Sequence, residues 1–403
     1  MASNRQQAPR NPGLRDVAAL VGVSRQTISR VLNDGPYVSD DTRRRVMEGV
    51  KALGYQVNAP AKALATGKTR LIALLVPDIG NPHFARIARA ASEEAEHYGY
   101  DVVLWNCGES PRRELGYLRS LPSHRVDGVV VCSSRLSAGA LREFVSGEVP
   151  IALINRSLGG QSAVPEVIVD AEVGAASAAR LLADLGHRTI GILSFRPPSE
   201  SAAVRLRGYG RSLEGQGVKI DSRQVRRVSP DMAGGYAGAT SMFARVPRLT
   251  ALLCANDLIA LGAVQAAYAQ GLRVPEDVSI VGFDDIAAAS SSTPPLTTVH
   301  IPQAELGRTA VDLLIGRLRG EPSPSSPVVL PTQLVQRGSH APCVAADTRA
   351  VSARAVQRTT RRGNTPVRLG TILRTPAGPP NPSRPIPNPC KAPAGNPEPP
   401  TRR

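Results

Sequence analysis

The sequence predicts a small all-α N-terminal domain, an α/β body of parallel strands, and an unstructured tail. Three observations predict it. From Leu71 onward, short β-branched runs alternate with segments of helical period. Residues 1–57 carry helical periods and no strand run. Residues 341–403 hold 13 Pro and 11 Lys/Arg with no periodic apolar pattern. Strands apolar on both faces and separated by helices belong to parallel sheets covered on both sides. A Pro- and Arg-rich tail cannot bury enough surface to offset its ordering entropy, so it is expected to be disordered.

A chain of 403 residues with 42% apolar content fills more than one core. Its formal charge of +16 is uneven. Residues 1–68 hold 11 basic against 5 acidic residues, 69–340 hold 27 against 26, and 341–403 hold 11 against 2. A basic front module on a neutral body suits a polyanion such as nucleic acid. The five cysteines are odd in number and lack metal-ligand spacing, which suggests neither a disulfide framework nor a zinc site. Residues 1–13 form a polar arm with Pro9 and Pro12 rather than an apolar export signal. The most apolar long stretch, Leu249 to Tyr268, has Asn256 and Asp257 near its middle, against a membrane span. A cytoplasmic, nucleoid-associated protein without membrane contact is expected.

The first domain, residues 14–57, opens with LRDVAALVGVSRQTISRVLN (Leu14 to Asn33), which reads as two short helices around Gly22. Ala18, Gly22 and Ile28 stand where a helix-turn-helix needs a small contact residue, a left-handed turn residue and an apolar anchor. Val17, Leu20, Val23, Val31 and Leu32 complete the expected inward face. Ser24 can cap the second helix, whose outer side chains include Arg25, Gln26, Thr27, Ser29, Arg30 and Asn33. Arg and Gln pair bidentately with guanine and adenine edges in the major groove. Ser39, with Asp40 and Asp41, caps a third helix through Val46, Val50 and Leu53 that closes the core. In the next segment, 58–69, Ala61 and Leu64 sit on an Ala-rich stretch between Lys62 and Lys68. An apolar wedge of this kind suits the minor groove, and so short a helix is expected to order only on DNA.

In the body, 70–340, strands are predicted at Leu71–Pro77, Asp101–Trp105, Gly128–Cys132, Ile151–Ile154, Val167–Val169, Thr189–Leu193, Ala251–Cys254 and Val278–Gly282. Helices are expected at His83–Tyr98, Ala171–Leu185 and Leu258–Gln270. Periodicity alone leaves one barrel and two open sheets both possible.

The ordered set DVAALVGVSRQTISRVLN, VNAPAKAL, VPDIGNPHF, RVDGVVV, LGHRTIGIL, CANDLIALGA, VPEDVSIVGFDD and PPLTTV resembles the lactose/galactose repressor family of transcriptional regulators, over residues 14–340. The resemblance implies a homodimer whose paired headpieces bind a pseudo-palindromic operator, with the 58–69 segments side by side in the central minor groove. It also implies a body of two parallel-sheet subdomains like a periplasmic binding protein. The chain would cross between them near Asp170, Val299 and a strand from Leu330 to Gln336. No cofactor is implied.

A small effector in such a body sits between the sheets, near strand C-terminal ends. The loops there offer Asn81, Phe84, Asn155, Arg156, Asn256, Asp257 and Asp284. Arg205, in RLRGY, matches a family position that binds hydroxyls or carboxylates. Carboxylates, amides and a ring suit a sugar. Departures from the family pattern are His83 where an aromatic is usual, Asn155 where Asp is usual, and Ile301 where Gln is frequent; they imply a less polar pocket. The tail lacks the leucine heptads of a tetramerising helix, which favours a dimer.

Two other functions could use a parallel α/β body. An enzyme would need a nucleophile elbow, a phosphate-cradling loop or a metal cluster, and the sequence offers none of these. An exported sugar-binding protein would share the body but not the headpiece.

Overall fold

The computed structural model describes residues 12–32, 35–55, 67–145, 147–159, 164–196 and 199–343. Asn33, Ala61 and Leu64, most of the 58–69 segment, most of the 1–13 arm and the tail from residue 344 lie outside the described residues.

Helices α1 (Leu14–Val21), α2 (Arg25–Leu32) and α3 (Asp40–Leu53) form the headpiece. Gly22 ends α1 in the left-handed region at φ 71°, which a side chain would strain. Ser24 Oγ accepts from the Thr27 amide at 3.0 Å, and Ser39 Oγ from the Thr42 amide at 3.3 Å, so both predicted caps form. Val17, Val21, Ile28, Val31, Val46 and Tyr55 make the core, with Ala18, Val23, Leu32, Val50 and Leu53 packed around it. Leu20 departs from the expected inward face. It is 56% exposed, because the helical period turns its neighbour Val21 inward against Gly49 instead.

The body holds two parallel sheets and a short antiparallel pair. In one sheet, β1 (Leu71–Val76), β2 (Asp101–Asn106), β3 (Gly128–Cys132), β4 (Ile151–Ile154), β5 (Glu166–Val169) and β11 (Val328–Leu330) run in the order β11-β5-β4-β3-β1-β2. In the other, β6 (Ile190–Phe195), β7 (Val225–Val228), β8 (Ala251–Cys254) and β9 (Ser279–Val281) run in the order β7-β6-β8-β9. The two open sheets exclude the barrel that periodicity had allowed. Strands β1, β3, β4, β6 and β8 are buried along almost their whole length, as helix-covered parallel strands must be.

The chain crosses between the subdomains three times. It passes after β5 at Asp170, again through β10 (Thr298–His300), and again through β12 (Gln333–Val335), which pairs antiparallel with β10. The expected strand from Leu330 to Gln336 is split, with Leu330 closing β11 and Gln333 opening β12. Pro331 lies between them and has no N–H for a ladder. Asp170 ties two crossings together, accepting from the Thr332 amide at 2.7 Å and its hydroxyl at 2.6 Å. The chain stays docked past residue 340: Ala341 O meets His187 Nε2 at 3.0 Å, and the Cys343 amide donates to Leu185 O at 2.8 Å. Among the described residues, no helix is long and apolar enough to cross a membrane.

Candidate functional site

The two sheets present their strand C-terminal ends to a shared cleft, the place where parallel α/β architectures bind ligands. One wall comes from the loops after β1, β2 and β3: Asn81, His83, Phe84, Glu109, Ser133 and Arg135. The other comes from the C-terminal sheet: Phe195, Ser201, Arg205, Pro230, Asn256 and Asp284. They face each other across the cleft between the two sheets, the kind of concave setting in which small ligands bind. Beside it, a more apolar compartment is bordered by Asn155, Ile168, Val169, Glu200 and Val204.

Local chemistry sets each side chain. Asn81 caps the helix Pro82–His97, its Oδ1 accepting from the His83 amide at 3.0 Å, and the first turn of that helix carries Phe84 into the cleft wall. Asn256 caps Asp257–Ala269 and donates to Pro230 O at 3.0 Å. Asn155, at φ 49°, accepts from the Val169 amide at 3.1 Å. Glu109, Ser133, Asn155, Asp284 and Asp285 all have positive φ, between 47° and 113°. Left-handed backbone in non-glycine residues collects at ligand sites because surrounding contacts must hold it there.

The centre of the far wall is Arg205. Its Nη2 lies 3.1 Å from Asp284 Oδ1, its Nη1 donates to Ala255 O, and its guanidinium stacks 3.9 Å over the Phe283 ring. On the near wall Arg135 grips Glu109 bidentately, at 2.6 and 2.9 Å, and donates to Ser133 O at 2.6 Å. Arg156 spans the subdomains. It donates to Leu136 O at 2.8 Å on one side and forms an ion pair with Glu200 on the other. Each of these three guanidinium groups therefore has a carboxylate partner. His83 is buried 3.9 Å from Asp284, and burial lowers its pKa, outweighing the pull of Asp284, so the ring is neutral at pH 7. The buried atoms His83 Nδ1 and Arg205 Nε have no hydrogen-bond partner among the described residues.

Of the residues read from sequence, Asn81, Phe84, Arg205, Asn256 and Asp284 meet in one space, and Asn155 lies in the adjoining compartment. Arg156 bridges the walls rather than lining the space. Asp257 turns away from the cleft, its carboxylate accepting from the Ile286 amide at 2.9 Å and from the Thr298 hydroxyl. Ile301, expected to make the pocket less polar, is buried in the core. Gln303 takes a polar place nearby, donating to the Asp284 carbonyl. The sequence reading missed Glu109, Arg135 and Glu200. Glu109 follows β2 and Arg135 follows β3 by three residues each, an offset that could have found them.

On the headpiece, Arg25, Gln26, Ser29 and Arg30 are exposed along α2, with Thr27 half-buried beside the cap. From α3, Arg43 and Arg45 turn back instead to carbonyls of the first two helices, including Val21 O at 2.8 Å.

Two family descriptions match the chain. "Bacterial regulatory proteins, lacI family" covers residues 13–58, and "Periplasmic binding proteins and sugar binding domain of LacI family" covers residues 69–338. The chain belongs to the LacI family. It is a ligand-responsive, sequence-specific DNA-binding transcriptional regulator. The HTH-type transcriptional regulator DegA of Bacillus subtilis is 34% identical over 337 residues, which is 81% of this chain and 97% of that protein. Among solved structures, the lac repressor dimer bound to operator and an anti-inducer is 30% identical, with TM-score 0.75, covering 82% of this chain and all of that one. The transcriptional regulator CelR in complex with cellobiose is 32% identical, with TM-score 0.62, covering 81% of this chain and 99% of that one.

Proposed function

We propose that this LacI-family regulator is a homodimeric repressor of sugar or related metabolite genes, and that its effector is an uncharged polyhydroxylated molecule. In this reading residues 14–57 hold the operator through Arg25, Gln26, Thr27, Ser29, Arg30 and Asn33. Ala61 and Leu64, in the 58–69 segment, enter the minor groove. Residues 70–340 bind effector and dimerise, with Asn81, Phe84, Asn155, Arg156, Arg205, Asn256 and Asp284 serving the cleft. The protein works in the cytoplasm at the nucleoid, without membrane contact.

The observation that carries the ligand class is that Arg135, Arg156 and Arg205 each stand against a carboxylate: Glu109, Glu200 and Asp284. An anionic ligand would meet no uncompensated cation among these groups and would face the carboxylates of Glu109 and Asp284, with Glu200 beside the adjoining compartment. A hydroxyl group can accept from guanidinium and donate to carboxylate at once, so paired charges complement a neutral polyol. Phe84 and Phe195 add rings for the apolar face of a sugar. The likeness to a regulator solved with cellobiose supports the same class.

The test is a thermal-shift and calorimetry series on the full chain. It sets neutral mono- and disaccharides against the matching sugar phosphates and uronates. Stabilisation by a neutral sugar, lost in Arg205→Ala, is expected. Stabilisation only by anionic ligands would overturn the class, and stabilisation by no carbohydrate would overturn the sugar reading.

A further inference from the structure

We infer that Asp127 is a positioning residue that fixes how the chain enters the body from the headpiece, and so holds the spacing at which two headpieces engage DNA. The inference rests on the dimeric DNA-binding reading above and concerns a part of the molecule remote from the effector cleft.

The carboxylate of Asp127, which precedes β3, gathers three donors from the two residues that precede β1. The Thr69 amide donates to Oδ1 at 2.8 Å, the Thr69 hydroxyl to the same oxygen at 2.7 Å, and the Arg70 amide to Oδ2 at 3.0 Å. Hydrogen bonds to an ionised acceptor are stronger and more directional than neutral ones, and three on one carboxylate define an orientation rather than a mere contact. The backbone repeats the tie, since the Asp127 amide donates to Leu71 O at 2.8 Å and the Asp101 amide to Arg70 O at 2.9 Å.

The chain is bent at this point. Arg70 sits at φ 61°, a conformation that costs energy in a residue with a side chain, and its guanidinium lies 5.2 Å from the centroid of the Tyr100 ring. On one flank is a solvent-open groove bordered by Gly67, Lys68, Leu121, Arg125 and Glu148. Beside that groove the polar clamp holds Thr69 and Arg70 against the sheet. Because β3 and β1 are paired inner strands of the sheet, the clamp makes Thr69 and Arg70 move as one with the N-terminal subdomain. Reorientation of that subdomain reaches the entering chain through Asp127 instead of being absorbed by a loose joint.

The test uses full-length protein and a duplex enriched by the wild type from a random library, alongside the same duplex with one base pair inserted between its half-sites. Asp127→Ala and Thr69→Val are expected to weaken binding to the enriched duplex, by about tenfold for Asp127→Ala, and to shrink the preference over the lengthened one. Asp127→Asn, which keeps one acceptor oxygen, is expected to fall between. Wild-type affinity and spacing preference in Asp127→Ala would overturn the inference. So would lost affinity with spacing preference unchanged, because a merely structural role predicts that result. If Asp127→Ala unfolds, Thr69→Val decides by the same two readouts. Enriched duplexes with a single half-site would sink the dimeric reading and with it the spacing role of Asp127, an outcome distinct from two half-sites whose spacing preference Asp127→Ala leaves unchanged.

Discussion

The guanidinium of Arg205 lies 3.1 Å from the carboxylate of Asp284, both about 95% buried, and stacks on the Phe283 ring next in sequence to its partner. Removing one member of a buried pair strands the other charge, which costs about 3–5 kcal/mol, whereas replacing both with apolar residues is close to neutral. Arg205→Ala is therefore expected to lower stability by that amount and abolish effector response. The double variant Arg205→Met with Asp284→Leu is expected to regain most of the stability and none of the response. Urea melts and calorimetry check both halves, and a double variant as unstable as the single one would contradict the buried-pair account.

In the headpiece, a Cβ on Gly49 would lie 2.4 Å from Val21 Cγ2. Gly49→Ala must push α1 from α3, at an overpacking cost of about 1–3 kcal/mol, a large share of what so small a core supplies. The expected result is a lowered headpiece transition and lost DNA binding, with effector affinity of the body unchanged. Effector calorimetry beside a DNA-binding titration separates the two.

Arg25 and Gln26 lead the exposed face of α2. If they read base edges, Arg25→Ala and Gln26→Ala each lose about 1–3 kcal/mol on the preferred duplex and little on variants altered at the matching base pair. Equal losses on every sequence would assign them to phosphates instead.

His83 gives the cleft a pH dependence of defined sign. Burial lowers its pKa from 6.5, with Arg205 lowering it further and Asp284 opposing. A base whose folded pKa is depressed refuses a proton that the unfolded chain accepts. Stability is therefore full above about pH 6.5 and falls as pH drops below that value. Half-buried His340 has a lowered pKa too and adds a component of the same sign. The urea midpoint should fall less between pH 7.5 and 5.5 in His83→Asn than in the wild type. Equal falls would show that His83 takes its proton freely in the folded state.

The periodicity that made the body legible is physical: strands covered on both faces must be apolar throughout, and β3, β4 and β8 match their expected bounds residue for residue. Strand β7, VRRV, escaped because it lies at a sheet edge with Arg226 and Arg227 exposed, so it lacks the apolar run that marks a central strand. Leu20 was misplaced because its type suits an inward face while the helical phase sends it outward. In the cleft, Asp284 is legible as a polar residue in a loop after a strand, and Arg205 only through the family resemblance. Glu109 and Arg135 are not, because their pairing joins loops 26 residues apart in sequence and neither residue type is unusual in a loop. Arg156 is expected from the sequence to bind effector; its bridge to Glu200 depends on how the subdomains approach, which no local pattern encodes.

The central claim is that cleft and headpiece share one free energy. The most direct measurement is the affinity of the full chain for its enriched duplex with and without a cleft-binding neutral sugar, together with its affinity for that sugar with and without the duplex. The account predicts that both affinities change by the same factor, about 5- to 150-fold. Tight binding of both partners with neither affinity altered by the other would contradict it.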